Sequence, residues 1–172
     1  MRGDLVNADL ITDAILGSDA VLSALGPTSL RHPKDMPITR AMMTIVTAMK
    51  RTSVSRLVAI STGTAVDPGD RFEWKIRLPA SLIRLLMPSS YRDIIGLAET
   101  IRASSLDWTM VRLPFLTDGP FAERLNVGLY GVQKHSMTVS RANVAAFMFD
   151  QIARTDILGQ APGISTEFAS GR

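Results

Sequence analysis

The sequence predicts a single α/β domain built on a parallel sheet with flanking helices, and three observations carry that prediction. Short apolar runs alternate with segments of helical periodicity as far as residue 113. The runs are too short for buried helices and are apolar on both faces, as strands covered from both sides must be. At 172 residues and 46% apolar composition, the chain has material for one core and no room for two ordinary domains.

Each element has its own signal. Asp9 is the expected cap of a first helix, whose apolar residues Leu10, Ile11, Ala14 and Ile15 fall on one face. Gly17 follows as the left-handed residue that ends it. Ala20-Val21-Leu22-Ser23-Ala24-Leu25 reads as the first strand, closed by Gly26-Pro27. Residues 28–38, punctuated by Pro33 and Pro37, read as loop. From Thr39 to Arg51, Met42, Ile45, Val46 and Met49 mark an amphipathic helix. Leu57-Val58-Ala59-Ile60-Ser61 is the second strand and runs into the small polar stretch Ser61-Thr62-Gly63-Thr64. Residues 65–92 are mixed, with a helix predicted over Ser81–Leu86 that stops at Pro88. A third long helix is predicted over Asp93–Ala103, then a third strand, Trp108–Leu113, closed by Pro114. Strand, loop and helix in series imply right-handed crossovers. Beyond Pro114, Ser140 caps a last helix through Val144, Phe147, Met148 and Ile152, and an edge strand is expected near Gly163–Thr166.

Composition narrows the chemistry. The absence of cysteine excludes disulfides, thiolate metal sites and cysteine nucleophiles. His32 and His135 lie about a hundred residues apart and make no metal site by themselves. No apolar run reaches the roughly 18–20 residues of a membrane span, and no apolar stretch follows Met1-Arg2-Gly3-Asp4 as in a secretory signal. A cytoplasmic location without a membrane partner is expected. The net charge of +3 is far from that of a dedicated nucleic-acid binder, and no nucleic-acid partner is expected. Six basic residues between 31 and 57 (Arg31, Lys34, Arg40, Lys50, Arg51, Arg56) read as the solvent face of the Thr39–Arg51 helix. Lys75–Met87 reads as an amphipathic surface helix that acts as a lid over a ligand cleft rather than as a membrane anchor. His135 reads as a surface loop residue, with anion binding as the alternative. The nine methionines read as core filling.

In an open parallel sheet, ligands bind outside the carboxyl ends of the strands. Those ends are Leu25-Gly26-Pro27, Ser61-Thr62-Gly63 and Leu113-Pro114-Phe115, all small or backbone-exposing. The same residues are also ordinary turn formers.

Four stretches carry a family resemblance. They are Gly3-Asp4 with the segment Gly17–Gly26, then Val54–Ser61, then Glu99–Pro114, and finally Ser140-Arg141-Ala142-Asn143-Val144-Ala145. Together they resemble atypical short-chain dehydrogenases, nearest to the NmrA-like and flavin-reductase/biliverdin-reductase-B-like NAD(P)H-binding proteins. The resemblance implies a Rossmann-type sheet with NADP or NAD across its strand ends. By position it puts Asp4 at the adenine, although Asp4 also reads as a turn or cap residue. It puts Ala24, Leu25 and Gly26 along the adenosine side, Ser61 and Thr62 near the nicotinamide, and Leu113, Pro114 and Phe115 beside it.

Two departures qualify what the resemblance implies. The family opens with a βαβαβ half carrying a Gly-rich turn, whereas this chain starts where that half would be ending. It therefore reads as N-terminally truncated, without GxGxxG or its relatives. The first strand would then be an exposed apolar edge, and a homo-oligomer through that edge is expected. The second departure concerns the Tyr-x-x-x-Lys pair of the usual enzymes, in which lysine lowers the phenol pKa. Tyr91 is followed by Ile95 at the lysine position. Tyr130 has Lys134 four residues on, but past the third strand, and the match reads as coincidence. No catalytic residue is assigned beyond Ser61 as a weak candidate. The implied activity is hydride transfer to a small-molecule acceptor (quinone, flavin or carbonyl) by proximity. The alternatives are a non-enzymatic NAD(P)-sensing regulator or scaffold, or an inactive truncated product.

Overall fold

The computed structural model describes residues 4–29 and 31–167. Gly3, at the start of the resemblance, lies outside them. Helix α1 (Ala8–Ile15) is capped by Asn7, whose side-chain oxygen accepts the Leu10 N–H at 3.1 Å. Asp9, the expected cap, sits in the first turn instead, where its charge complements the helix dipole. Gly17 adopts the expected left-handed conformation at φ 76°. Strand β1 (Ala20–Ser23) stops short of the prediction, so Ala24 and Leu25 belong to the loop beyond it. Then follow α2 (Pro37–Thr52) and β2 (Arg56–Thr62).

Two prolines do more than interrupt helices. Helix α3 (Trp74–Leu86) runs through Pro79, which lacks the N–H that would reach the Lys75 carbonyl. Pro88 does not only end α3; it also opens α4 (Pro88–Arg102), where its fixed φ suits the first helical position. Next come β3 (Asp107–Leu113), β4 (Phe115–Thr117), β5 (Leu125–Gly128), β6 (Thr138–Ser140), α5 (Arg141–Asp150) and β7 (Gly163–Thr166). Ser140 caps α5 as predicted, accepting the Asn143 N–H at 3.2 Å.

The main sheet has the order β1-β2-β3-β7-β5, with β1, β2, β3 and β7 parallel and β5 antiparallel to β7. Strand β7 is thus interior, not the expected edge, because β5 returns to cover it. Strands β4 and β6 form a separate parallel pair. Both faces of the main sheet are covered. Met42, Ile45 and Met49 of α2 and Leu97 and Ile101 of α4 pack over Leu57, Ala59 and Met110. Val144 and Met148 of α5 pack over Val58, Val111 and Ile164. Of the basic residues between 31 and 57, Arg56 leaves the solvent face altogether: it is buried and donates to the carbonyls of Gln151 and Asp107.

Two further buried charges tie these layers together. Asp93 of α4 is fully buried and caps α2 from outside that helix. Its carboxylate accepts the Ile38 N–H at 3.0 Å, the Thr39 N–H at 2.7 Å and the Thr39 hydroxyl at 2.7 Å. His32 Nε2 donates to it at 2.6 Å. Burial opposes the charge, but these donors outweigh it and hold the carboxyl below the usual carboxylate range. The second charge is Arg112 of β3, fully buried, whose guanidinium forks onto both oxygens of Asp70, one at 2.7 Å. Its Nε donates to the Ala161 carbonyl at 2.6 Å, and it lies 4.6 Å from the centre of the Tyr130 ring. The Tyr130 N–H donates to Asp70, and the Tyr130 hydroxyl donates to the Arg112 carbonyl. His135 completes this cluster edge-on to Tyr130 and hydrogen-bonded to Ser165 and the Gly128 carbonyl. It is buried, contrary to the surface reading, and burial pushes its imidazole below the ordinary range.

Two stability predictions follow from these contacts. A Cβ at Gly163 would stand 2.6 Å from the Tyr130 ring. Gly163→Ala should therefore cost about 1–3 kcal/mol in urea unfolding. For Asp93, the fold lowers the carboxyl pKa, so the unfolded chain binds more protons in acid. The stabilisation is complete above about pH 4 and is lost as pH falls through the folded-state value. Asp93→Asn should cost about 2 kcal/mol near neutrality. The difference from the parent chain should shrink when the melts are repeated in increasingly acid buffer.

Candidate functional site

The carboxyl ends of β1, β2 and β3 open into a trough, and parallel pairing in register puts those ends side by side. Its middle stretch is walled by Leu25, Gly26, Ser61, Thr62, Leu113 and Pro114, six of the nine predicted cofactor residues. At one end the trough continues past Leu25 and Ile38 into an open groove bordered by Asp4 and Pro37. At the other it adjoins, across Thr62, Leu113 and Pro114, an apolar cavity of about 170 Å³ that Phe115 also lines. Ala24 precedes Leu25 and borders none of the three hollows.

The polar atoms in this run are few and differ in what they offer. The Ser61 hydroxyl is buried and has no hydrogen-bond partner. A buried hydroxyl left unpaired costs about 1–3 kcal/mol, so a polar ligand atom that reached it would recover that loss. Ser23, Ser90 and Gln151 are also unpartnered, but none of them borders the trough. The Thr62 hydroxyl is already engaged with that of Thr64 at 2.6 Å. Asp4 does what a turn residue does, accepting the Val6 N–H at 3.1 Å, and its carboxylate still borders the groove.

Gly26 is informative for a different reason. Its backbone is not in the left-handed region, and a Cβ built there meets nothing within 4 Å. The fold itself does not demand glycine at this strand end. What the missing side chain leaves is clear passage along the trough.

The cavity at the far end lies under α3, whose Ile76, Pro79 and Ile83 line it together with Tyr130 and Met137. The lid reading of this segment matches that placement. The expected lid, Lys75–Met87, contains Ile76, Pro79 and Ile83, but the sequence did not single them out as lining residues, nor Tyr130 and Met137, which come from distant loops. Tyr130 supplies a wall and not a proton: burial pushes its phenol well above the ordinary range, and its hydroxyl is committed to the Arg112 carbonyl. Lys134 is exposed, so the two do not form an acid/base pair.

A nicotinamide dinucleotide has two flat ring systems joined by a pyrophosphate. The residues present fit the ring systems, offering largely apolar walls, the open space at Gly26 and the unpaired Ser61 hydroxyl. They do not offer a pyrophosphate cradle. The helix N-terminus bordering the groove is that of α2, and its N–H groups at Ile38 and Thr39 are taken by Asp93.

Comparison with known proteins bears on the family and the fold. A family model described as NAD(P)H-binding matches residues 1–155. No curated protein matches the chain. Among solved structures, a short-chain dehydrogenase/reductase from Veillonella parvula DSM 2008 in complex with NADP is similar at 20% identity. Its TM-score is 0.75, over 98% of this chain and 72% of that one. ChuY, an anaerobillin reductase from Escherichia coli O157:H7, is similar at 15% identity and TM-score 0.74, over 99% and 76%. A Rossmann-fold NAD(P)-binding family protein from Shigella flexneri is similar at 22% identity and TM-score 0.63, over 100% and 72%. At these identities the structures establish the Rossmann-type fold. With the family model covering most of its length, the chain belongs to the NAD(P)H-binding family.

Proposed function

We propose that this protein is an NAD(P)H-dependent reductase whose small apolar acceptor, a quinone, flavin or carbonyl compound, sits in the cavity under α3. The observation that carries this reading is that the middle of the trough and the cavity adjoin. The strand ends at Ser61 and Pro114 that suit a nicotinamide share Thr62, Leu113 and Pro114 with the acceptor cavity. Two reactants in those adjoining hollows would be held at contact, and orientation of that kind supplies much of the rate in a transfer that needs no covalent intermediate.

When bound, the cofactor supplies a hydride. The chain's own residues position and shield. Leu113, Pro114 and Phe115 form the shared wall, and Ile76 and Ile83 of α3 keep the acceptor side apolar. The Ser61 hydroxyl, sealed from solvent in this conformation, donates to a polar atom of the bound rings once its side chain turns toward the trough. A carbonyl or quinone also needs a proton, and no tyrosine–lysine pair stands at the site to deliver it. The cationic side chain that lines the acceptor cavity is Lys75, and the proton comes from it or from solvent at the open mouth of the trough. That same lack favours a second reading, in which the chain binds the dinucleotide as a sensor and does not turn over.

One comparison separates the two readings and tests the site. Purified chain is titrated with NADPH and NADH by calorimetry, then assayed for NADPH oxidation with a quinone, a flavin and an aldehyde. The reductase reading expects binding and acceptor-dependent oxidation; binding without oxidation by any acceptor supports the sensor. Gly26→Val fills open space, so it should leave the melting temperature within a few degrees yet weaken binding by at least about tenfold. Unchanged affinity in that variant would remove Gly26 from the cofactor path.

A further inference from the structure

Helix α3 does more than roof the cavity. None of its residues is buried, and Trp74, Leu78, Leu82, Leu85 and Leu86 are between 54% and 76% exposed. At about 100° per residue these five fall within an arc of roughly 120°. The adjoining arc carries Ile76, Pro79 and Ile83, which face the cavity. The outer arc is continued by Phe72 just before the helix, itself 79% exposed. Other large apolar residues are exposed elsewhere, Leu16 and Phe149 among them, but six gathered on one helix and its entry form a continuous surface of the kind that marks an interaction site.

The charges on the helix say what it meets. Lys75, Arg77 and Arg84 are its only ionisable side chains, and it has no carboxylate. A second copy of the chain is a poor partner, since a two-fold contact centred on this face would set those cations against their own duplicates. An anionic lipid surface satisfies both features. Leucine and tryptophan enter the interface, while the long basic side chains reach phosphate groups at its level. No helix among the described residues is long and apolar enough to cross a membrane, so the contact is one of lying on the surface.

Against the expectation of no membrane partner, we infer that α3 docks this protein onto anionic lipid bilayers through its Trp74–Leu86 outer face, with Arg77 and Arg84 supplying the charge contacts, while Lys75 borders the cavity. The inner arc remains free to close the cavity, so the lid role and the docking role do not compete. This inference rests on the surface of α3 and not on the reductase reading.

The test uses the whole chain and two kinds of vesicle, phosphatidylcholine alone and phosphatidylcholine mixed with phosphatidylglycerol, in a co-sedimentation assay. At low salt the mixed vesicles should bind the protein at least about tenfold more strongly than the neutral ones, and added salt should erase the difference. Leu82→Glu with Leu85→Glu changes only exposed positions. It should keep the circular dichroism spectrum and melting temperature while lowering vesicle binding at least about tenfold. Arg77→Gln with Arg84→Gln should abolish the preference for anionic vesicles. Absence of sedimentation with either vesicle by folded protein would overturn the inference, as would vesicle binding that the leucine variants leave unchanged. Self-association abolished by those same leucine variants would also overturn it, by showing that a second copy covers the face.

Discussion

An arginine buried to zero exposure at the end of a strand keeps its charge, so its surroundings must answer it. Around Arg112 they do so completely. Asp70 takes the fork, the Ala161 carbonyl takes Nε, and the face of Tyr130 lies against the guanidinium. Each partner comes from a different part of the chain. The ion pair therefore fixes the loop after β2, the 130s loop and the entry to β7 in one place. Breaking such a pair by removing one member costs about 3–5 kcal/mol, because the remaining charge is stranded. Tyr130, held this way, becomes a wall of the cavity under α3. The narrow fit at Gly163 comes from the same ring.

Asp93 plays the matching part at the other end of the trough. By capping α2 from α4, it sets Pro37 and Ile38 beside Leu25 and so shapes the groove that Asp4 borders. The two anchored regions contrast with α3 between them, which lies over the cavity with no buried residue of its own. A segment with so little buried surface belongs to the least stable part of a fold, as suits a cover over a ligand site.

What the sequence made legible was local. The strands at Leu57–Ser61 and Trp108–Leu113, the Met42-Ile45-Val46-Met49 stripe and the Ser140 cap each depend on near neighbours, and each stands where the pattern placed it. The strand ends could be read as a site because parallel strands bring their ends together whatever the loops do. What stayed hidden depends on distant partners. Asp93 reads as an ordinary helical residue until α2 lies beside it. His135 in Lys-His-Ser looks exposed until Tyr130 and Ser165 enclose it. The interior position of β7 depends on β5 folding back, and nothing between Gly163 and Thr166 announces that. One signal was present and unused: a charged residue inside Met110-Val111-Arg112-Leu113 must have a buried partner, although its sequence neighbours do not name Asp70.

The central claim is that a dinucleotide lies across the ends of β1, β2 and β3 and reaches the cavity under α3. Amide hydrogen exchange with and without saturating NADPH tests it most directly, because it reports on each strand end separately. The account predicts slower exchange in the segments around Leu25–Gly26, Ser61–Thr64 and Phe115, together with slower exchange in α3. Protection confined to other parts of the chain, with those strand ends unchanged, would contradict it.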